Sequence, residues 1–240
     1  MEWIESEPGG HEIEPEEVHL WRFPLAAPDN SDGAVNLPEE ERRCAEAMQS
    51  PTARRSFVAG QSALRALLSS YTGTPAGEIA FSRAAHGKPM LASPVAPLEF
   101  NVSHSGDWGV IALARVPVGV DVEQIRPGRS SPALERRFLT ESERALLGRR
   151  ARADGDAAFF VVWCRKEAYL KATGFGLAAP FSRIDSSAAR LPDLHESGAQ
   201  LAGDTPWSVA EFFVDERHAA AVVARADRLS PRFFTLRRSR

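Results

Sequence analysis

Two long helical segments, each framed by short runs of strand type, narrow the fold more than any other feature of this chain. Val18 to Phe23 (VHLWRF) has strand character. From Pro51 to Ser70, Phe57, Gln61, Leu64 and Leu68 fall at helical spacing, with Val58 and Leu67 widening the stripe. TGTPAG ends that helix, Ile79 to Ser82 is a short strand candidate, HGKP is turn-like, and a Pro-rich loop runs to Pro97. LEFNVSH, WGVIALAR and VGVDVEQI then follow as strands joined by SGD and VP, which predicts a local antiparallel meander. Thr140 and Glu143 form a T-x-x-E capping box, and a longer helix runs from about Ala157 to Thr173, ended by Gly174 and Gly176. WSVAEFFV and HAAAVVAR form a hairpin across DER. The halves on either side of Pro117 have similar content. The expectation is an α+β chain with two similar α/β lobes in a pseudo-twofold arrangement and the active groups where they meet.

The expected divisions are an acidic, loosely ordered leader (1–17), an N-terminal lobe (18–116), a C-terminal lobe (117–226) and an Arg-rich solvated tail (227–240). The leader holds seven glutamates and no Lys or Arg. Residues 26–36 are turn-rich, and Pro38 and Glu39 open a helical segment. The 240 residues carry a formal net charge of -3, so the global basic field of a nucleic-acid binder is absent. There is no apolar run of membrane-spanning length and no secretory pattern at the start, giving a cytoplasmic expectation. Cys44 and Cys164 lie too far apart for a metal knuckle and read as buried thiols in a reducing compartment. Only three of the 29 basic residues are lysines: Lys88, Lys166 and Lys171.

Three segments carry chemistry. In Gly119-Val120-Asp121-Val122-Glu123 a strand would point Asp121 and Glu123 to one face and the valines to the other. Adjacent carboxylates repel unless solvent or a cation separates them, and Mg²⁺ prefers such oxygen ligands. Surface strands also carry D-x-E as plain solvated charge. In WCRKEAYLK a helix stacks Trp163, Glu167 and Lys171 at i, i+4 and i+8. Either Glu167 and Lys171 form an ordinary intrahelical ion pair, or Glu167 is a third ligand and Lys171 reaches a phosphate or hydroxyl. Trp163 would anchor the helix against the sheet, while Lys166, about 100° around it, could be a surface charge. In Phe100-Asn101-Val102-Ser103-His104-Ser105, Ser103 and His104 offer donors to phosphate oxygens. The Ser103-His104 pair lacks a G-x-S-x-G elbow, which argues against a hydrolytic triad.

FNVSHS, GVDVE and WCRKEAYLKATGFGL, in this order and preceded by GKP at 87–89, resemble the 4'-phosphopantetheinyl transferase superfamily, in particular its larger single-chain, Sfp-type branch. The resemblance spans roughly residues 38 to 225 and implies that family's fold. It implies transfer of the 4'-phosphopantetheine arm of coenzyme A, the substrate, to a serine of an acyl, aryl or peptidyl carrier protein. The released product is adenosine 3',5'-bisphosphate. It assigns Asp121, Glu123 and Glu167 to Mg²⁺, with Mn²⁺ as a substitute. Ser103, His104 and Lys171 go to the phosphates, and Arg55 and Lys88 to the 3'-phosphate or adenine side, with Arg42 and Arg43 as further candidates. Glu167, Lys171, Asp121 and Glu123 are the implied catalytic set, with Lys171 or Glu167 as rival bases. Arg126, Arg129, Arg136 and Arg137 within 124–138 would receive an acidic carrier surface, or else form an ordinary solvent-facing charge cluster. A monomer is expected. The rival readings are a Mg²⁺-dependent phosphohydrolase and a non-catalytic module that binds coenzyme A or carrier protein.

Overall fold

The computed structural model describes residues 2–9, 11–25, 37–84, 86–150, 155–175, 182, 184–194, 200–201 and 205–237. The turn-rich stretch 26–36, Gly176 and residues 238–240 of the tail lie outside these described residues.

The chain begins with β1 (Ile4–Ser6) and β2 (Glu17–Pro24), followed by α1 (Glu39–Ala47) and α2 (Pro51–Thr72). Ser50 caps α2 by accepting from Ala53 N, Pro51 occupies its first turn, and Gly73 ends it at φ 71°. A short 3-10 turn, Ala76–Glu78, leads to β3 (Ala80–Arg83), β4 (Pro89–Ser93), β5 (Glu99–Ser105) and β6 (Trp108–Ala114). Pro89–Ser93 reads in the sequence as turn and loop, yet it pairs with β3. Gly106, at φ 57°, makes the tight β5–β6 connection.

The second half runs β7 (Val118–Gln124), α3 (Pro132–Phe138), α4 (Glu141–Arg150), α5 (Gly155–Thr173), β8 (Arg190–Leu191), β9 (Asp193–Leu194), β10 (Gln200–Leu201), β11 (Trp207–Asp215), β12 (His218–Arg225) and β13 (Ser230–Leu236). The Thr140–Glu143 box forms: Thr140 N donates to Glu143 Oε2 at 2.9 Å and Glu143 N to Thr140 Oγ1 at 3.2 Å. The β11–β12 hairpin forms as the sequence indicates.

The two lobes repeat one plan. In the first, β2, α2, β5 and β6 follow one another and the strands lie in the order β2-β6-β5. In the second, β7, α5, β11 and β12 do the same, in the order β7-β12-β11. This is the expected pseudo-twofold pair of α/β lobes. Alternation along the strands divides their side chains between two faces. Leu20, Ala112, Val120, Val122, Phe212 and Val222 pack sheet against sheet. The opposite faces bury α2 against Trp21, Ile111 and Leu113, and α5 against Ala221 and Val223. The layers are therefore helix, sheet, sheet, helix.

Four expectations are corrected here. The meander stops after β6, because β7 pairs with β12, nearly 100 residues further along, instead of its neighbour in sequence. The leader is not loosely ordered: β1 pairs in parallel with β13, and Ile13 is buried in the core. Nor is the tail a solvated end, since β13 lies between β1 and β2 with Phe234 buried against Trp21. The physical reason is a match of charge and alternation. Arg232 meets Glu17 at 3.2 Å and Arg237 meets Glu5 at 2.8 Å, while Phe234 supplies an inward apolar residue. Of the two thiols, Cys164 is buried but Cys44 is exposed on α1.

Candidate active site at the outer edge of β7

The site is set by how closely α5 approaches β7. A Cβ on Gly119 would overlap Ala168 O and Ala172 N, so only glycine lets the helix lie this near the strand. Val120 and Val122 point into the intersheet core, which leaves Asp121 and Glu123 on the α5 face.

Asp121 is buried. Its Oδ1 accepts from Lys171 Nζ at 2.6 Å and from Ser103 Oγ at 2.9 Å. Lys171 also donates to Ser103 Oγ at 3.0 Å and to Val120 O at 3.3 Å. It thus crosses from α5 to β7, and the intrahelical pairing with Glu167 is not its engagement. Glu123 Oε2 accepts from Ser105 Oγ at 2.8 Å. Burial, then the Asp121 charge, raises the Glu123 carboxyl above its ordinary range. Glu167 is pushed up to about 7 by burial first and then by Asp121, with Lys171 opposing. The Asp121 charge therefore acts on both Glu123 and Glu167 across the strand–helix junction.

Among the described residues no three His, Cys, Asp or Glu side chains stand as a closed metal-ligating cluster. Lys171 instead supplies the positive charge at Asp121. The donor set nonetheless fits a hard divalent cation. It offers carboxylate oxygens, and Asp121 Oδ2 is buried with no hydrogen-bond partner among the described residues.

The other candidate residues are more dispersed. Ser103 is buried inside the Asp121–Lys171 cluster, whereas His104 on the opposite face of β5 is exposed. Lys88 is half-buried and donates to Val118 O at 3.0 Å and Ala172 O at 3.1 Å, tying β7 to the last turn of α5. Burial lowers its ammonium pKa. Arg55 is exposed near the start of α2, where it donates to Thr52 Oγ1 at 3.3 Å, and is not in this cluster. Arg42 and Arg43 both pair with Glu39 on their own helix. Arg126, Arg129, Arg136 and Arg137 are all exposed around α3.

One side chain departs from its sequence reading. Lys166 is not a surface charge: it and Glu143 are each 0% exposed and form an ion pair at 2.5 Å. Glu143 also accepts from Ser186 N and Oγ, so the capping residue doubles as a buried anchor for α5. Trp163 packs on Phe138 and Phe159 within a cluster that includes Ala219 of β12, so it holds α3 to α5 as well as backing the helix against the sheet. Asn101 and Ser105 are the residues missed by sequence reasoning. Asn101 Oδ1 accepts from Val120 N at 2.9 Å and Ser105 Oγ from Gln124 N at 3.0 Å. Their signal is the alternation of polar residues in FNVSHS.

No helix among the described residues is long and apolar enough to cross a membrane. Residues 117–223 match the model of the 4'-phosphopantetheinyl transferase superfamily, and residues 31–115 match that of the 4'-phosphopantetheinyl transferase N-terminal region. The chain is 34% identical over 224 residues to the 4'-phosphopantetheinyl transferase HetI of Nostoc sp., covering 91% of this chain and 92% of that protein. It is 29% identical over 189 residues to the transferase Sfp of Bacillus subtilis, covering 78% and 81%. It is also 29% identical over 206 residues to the L-aminoadipate-semialdehyde dehydrogenase-phosphopantetheinyl transferase of Pongo abelii, covering 78% and 66%. With both lobes matched in order and the shared segments meeting at the β7 edge, the chain belongs to the 4'-phosphopantetheinyl transferase superfamily.

Proposed function

We propose that the chain is a Mg²⁺-dependent enzyme of the single-chain, Sfp-type branch, acting as a holo-[acyl-carrier-protein] synthase. It moves 4'-phosphopantetheine from coenzyme A to a serine of an acyl, aryl or peptidyl carrier protein. The observation that carries this reading is the Lys171 Nζ–Asp121 Oδ1 bond of 2.6 Å across the β7–α5 junction, with Glu123 on the same strand face and Glu167 one helical turn before Lys171. In the reaction the serine Oγ–phosphorus bond forms, the bond to the bridging diphosphate oxygen breaks, and adenosine 3',5'-bisphosphate leaves. The serine proton passes to a base.

Asp121, Glu123 and Glu167 would hold Mg²⁺, with Mn²⁺ as a substitute, and the ion would neutralise charge on the diphosphate. Lys171, bonded to Asp121 Oδ1, would turn from it to a phosphate oxygen. Phosphate neighbours favour its charged form, so its role is electrostatic stabilisation. Glu167, acting directly or through water, is the rival base for the serine proton. Ser103 orients Asp121; to serve the nucleotide phosphates with His104 it would turn its one proton from Asp121 Oδ1 to a phosphate oxygen. Arg55 and the third ammonium proton of Lys88 serve the 3'-phosphate. Arg126, Arg129, Arg136 and Arg137, all exposed on and before α3, would receive an acidic carrier. Both lobes of one chain supply the site, so a monomer suffices, and the proposed setting is cytoplasmic.

The test is to incubate the purified protein with coenzyme A, Mg²⁺ and a panel of unmodified carriers, followed by intact-mass measurement. One phosphopantetheine added to a carrier serine is the expected result. Release of free phosphopantetheine with every carrier unmodified would identify a phosphohydrolase. Coenzyme A bound without turnover would identify a non-catalytic module.

A further inference from the structure

An edge strand leaves alternate N–H and C=O groups without a ladder partner. β7 is such a strand, yet its outward N–H groups at Val120, Val122 and Gln124 are taken. Val120 N donates to Asn101 Oδ1, Val122 N to Ser103 Oγ at 3.3 Å, and Gln124 N to Ser105 Oγ. Residues 101, 103 and 105 share one face of β5, and their repeat matches that of every second N–H of β7. The side chains of one lobe's edge strand thereby set the register of the other lobe's.

Two of these side chains also reach the carboxylates. A hydroxyl has one proton and two lone pairs, and a backbone N–H can only donate. Ser105 Oγ, having accepted from Gln124, must therefore direct its proton to Glu123 Oε2. Ser103 stands in the same relation to Val122 N and Asp121 Oδ1.

We infer that Ser105 is a positioning residue for Glu123. Its hydroxyl, fixed by the Gln124 amide, holds the Glu123 carboxylate in place toward Asp121 and Glu167 and so sets the site's affinity for a divalent cation. Ser105 acts through Glu123 and touches no reacting atom. The inference rests on the transferase reading of these carboxylates and adds to it a residue with a distinct, measurable effect.

The experiment titrates Mn²⁺ into wild type, Ser105→Ala and Ser105→Thr without coenzyme A, following free Mn²⁺ by electron paramagnetic resonance. The Mg²⁺ dependence of transfer to a carrier and the metal-free melting temperature are measured alongside. Ser105→Ala should bind Mn²⁺ about 10- to 100-fold more weakly and need correspondingly more Mg²⁺ for half-maximal rate. Its kcat at saturating Mg²⁺ should largely recover, its melting temperature should fall by only a few degrees for the orphaned Gln124 N–H, and Ser105→Thr should restore the affinity. If the Ala protein does not fold, Ser105→Cys, a weaker donor and acceptor, should show the same loss. Wild-type Mn²⁺ affinity in Ser105→Ala, or a loss that Thr fails to restore, would overturn the positioning role while wild-type transfer keeps the transferase reading. A wild-type protein that neither binds Mn²⁺ nor transfers would overturn both.

Discussion

β2 and β7 hold equivalent places in the two lobes, but their outer edges are completed differently. β2 is covered by another strand, β13, which arrives in parallel from the far end of the chain and brings β1 beyond it. β7 is covered by side chains. Asn101, Ser103 and Ser105 take its N–H groups, and Lys88 and Lys171 take the carbonyls of Val118 and Val120. A strand completes an edge with backbone alone and leaves no chemistry behind. Side-chain completion gathers hydroxyls, lysines and carboxylates into one buried junction. The same plan, finished in two ways, yields a structural edge and the edge proposed as reactive.

The contrast breaks most directly at Gly119. Gly119→Val should destabilise the protein by about 3 kcal/mol or more and abolish transfer, because α5 must move off β7. Gly77→Ala, with open space around it, should change stability by about 0.5 kcal/mol or less. Chemical denaturation and transfer assays check both, and a stable, active Gly119→Val protein would refute the close-approach argument.

At the structural edge, Phe234→Ala should cost about 3 kcal/mol of stability by emptying its place against Trp21. The rate per folded molecule should remain close to wild type. Calorimetric melting together with active-fraction titration separates the two effects. A large fall in turnover without loss of stability would show that this edge is not merely structural.

The reactive edge should respond in the opposite way. Lys171→Ala should lower kcat by about 100-fold or more, with Lys171→Arg recovering part of it. Single-turnover transfer at saturating coenzyme A and carrier gives the comparison. Near-wild-type turnover of Lys171→Ala would remove its electrostatic role.

The smallest effect concerns Glu167. Its folded-state pKa of about 7 lies above the ordinary 4.5, so the folded protein holds that proton more tightly than the unfolded chain. The stability this contributes is present below about pH 4.5 and is lost as pH rises through 7. Metal-free Glu167→Gln, permanently neutral, should match wild type near pH 5 and exceed it by about 1 kcal/mol, or about 3 °C, at pH 8, after allowance for solvent screening. Melting curves of chelator-treated proteins at both pH values would show it; a gap that does not widen with pH contradicts the assigned shift.

What the sequence made legible was whatever depends on neighbouring residues. Ser50, Pro51 and Gly73 bound α2, Thr140 and Glu143 open α4, and β11 and β12 pair across a short turn. The alternation in GVDVE places both carboxylates on one face. Distant pairings were not legible. SPRFFTL looks like a charged tail until Glu17, more than 200 residues earlier, meets Arg232. VGVDVEQ looks like the third strand of a meander because β12, its true partner, lies nearly 100 residues ahead. The scarcity of lysine proved informative in a way composition could not specify. Lys88 and Lys171 bind the edge of β7, and Lys166 is buried against Glu143. Burial of a charge becomes readable only when its partner is known.

The central claim is that the side-chain-completed edge of β7 is the reactive centre. Anomalous diffraction from crystals of this protein grown with Mn²⁺ and coenzyme A tests it most directly. The account predicts one Mn²⁺ peak within ligand distance, about 2.0–2.3 Å, of carboxylate oxygens from Asp121, Glu123 and Glu167, with Lys171 turned from Asp121 to a phosphate oxygen. A Mn²⁺ peak bound elsewhere, or the diphosphate seated away from β7 with Lys171 still on Asp121, would contradict it.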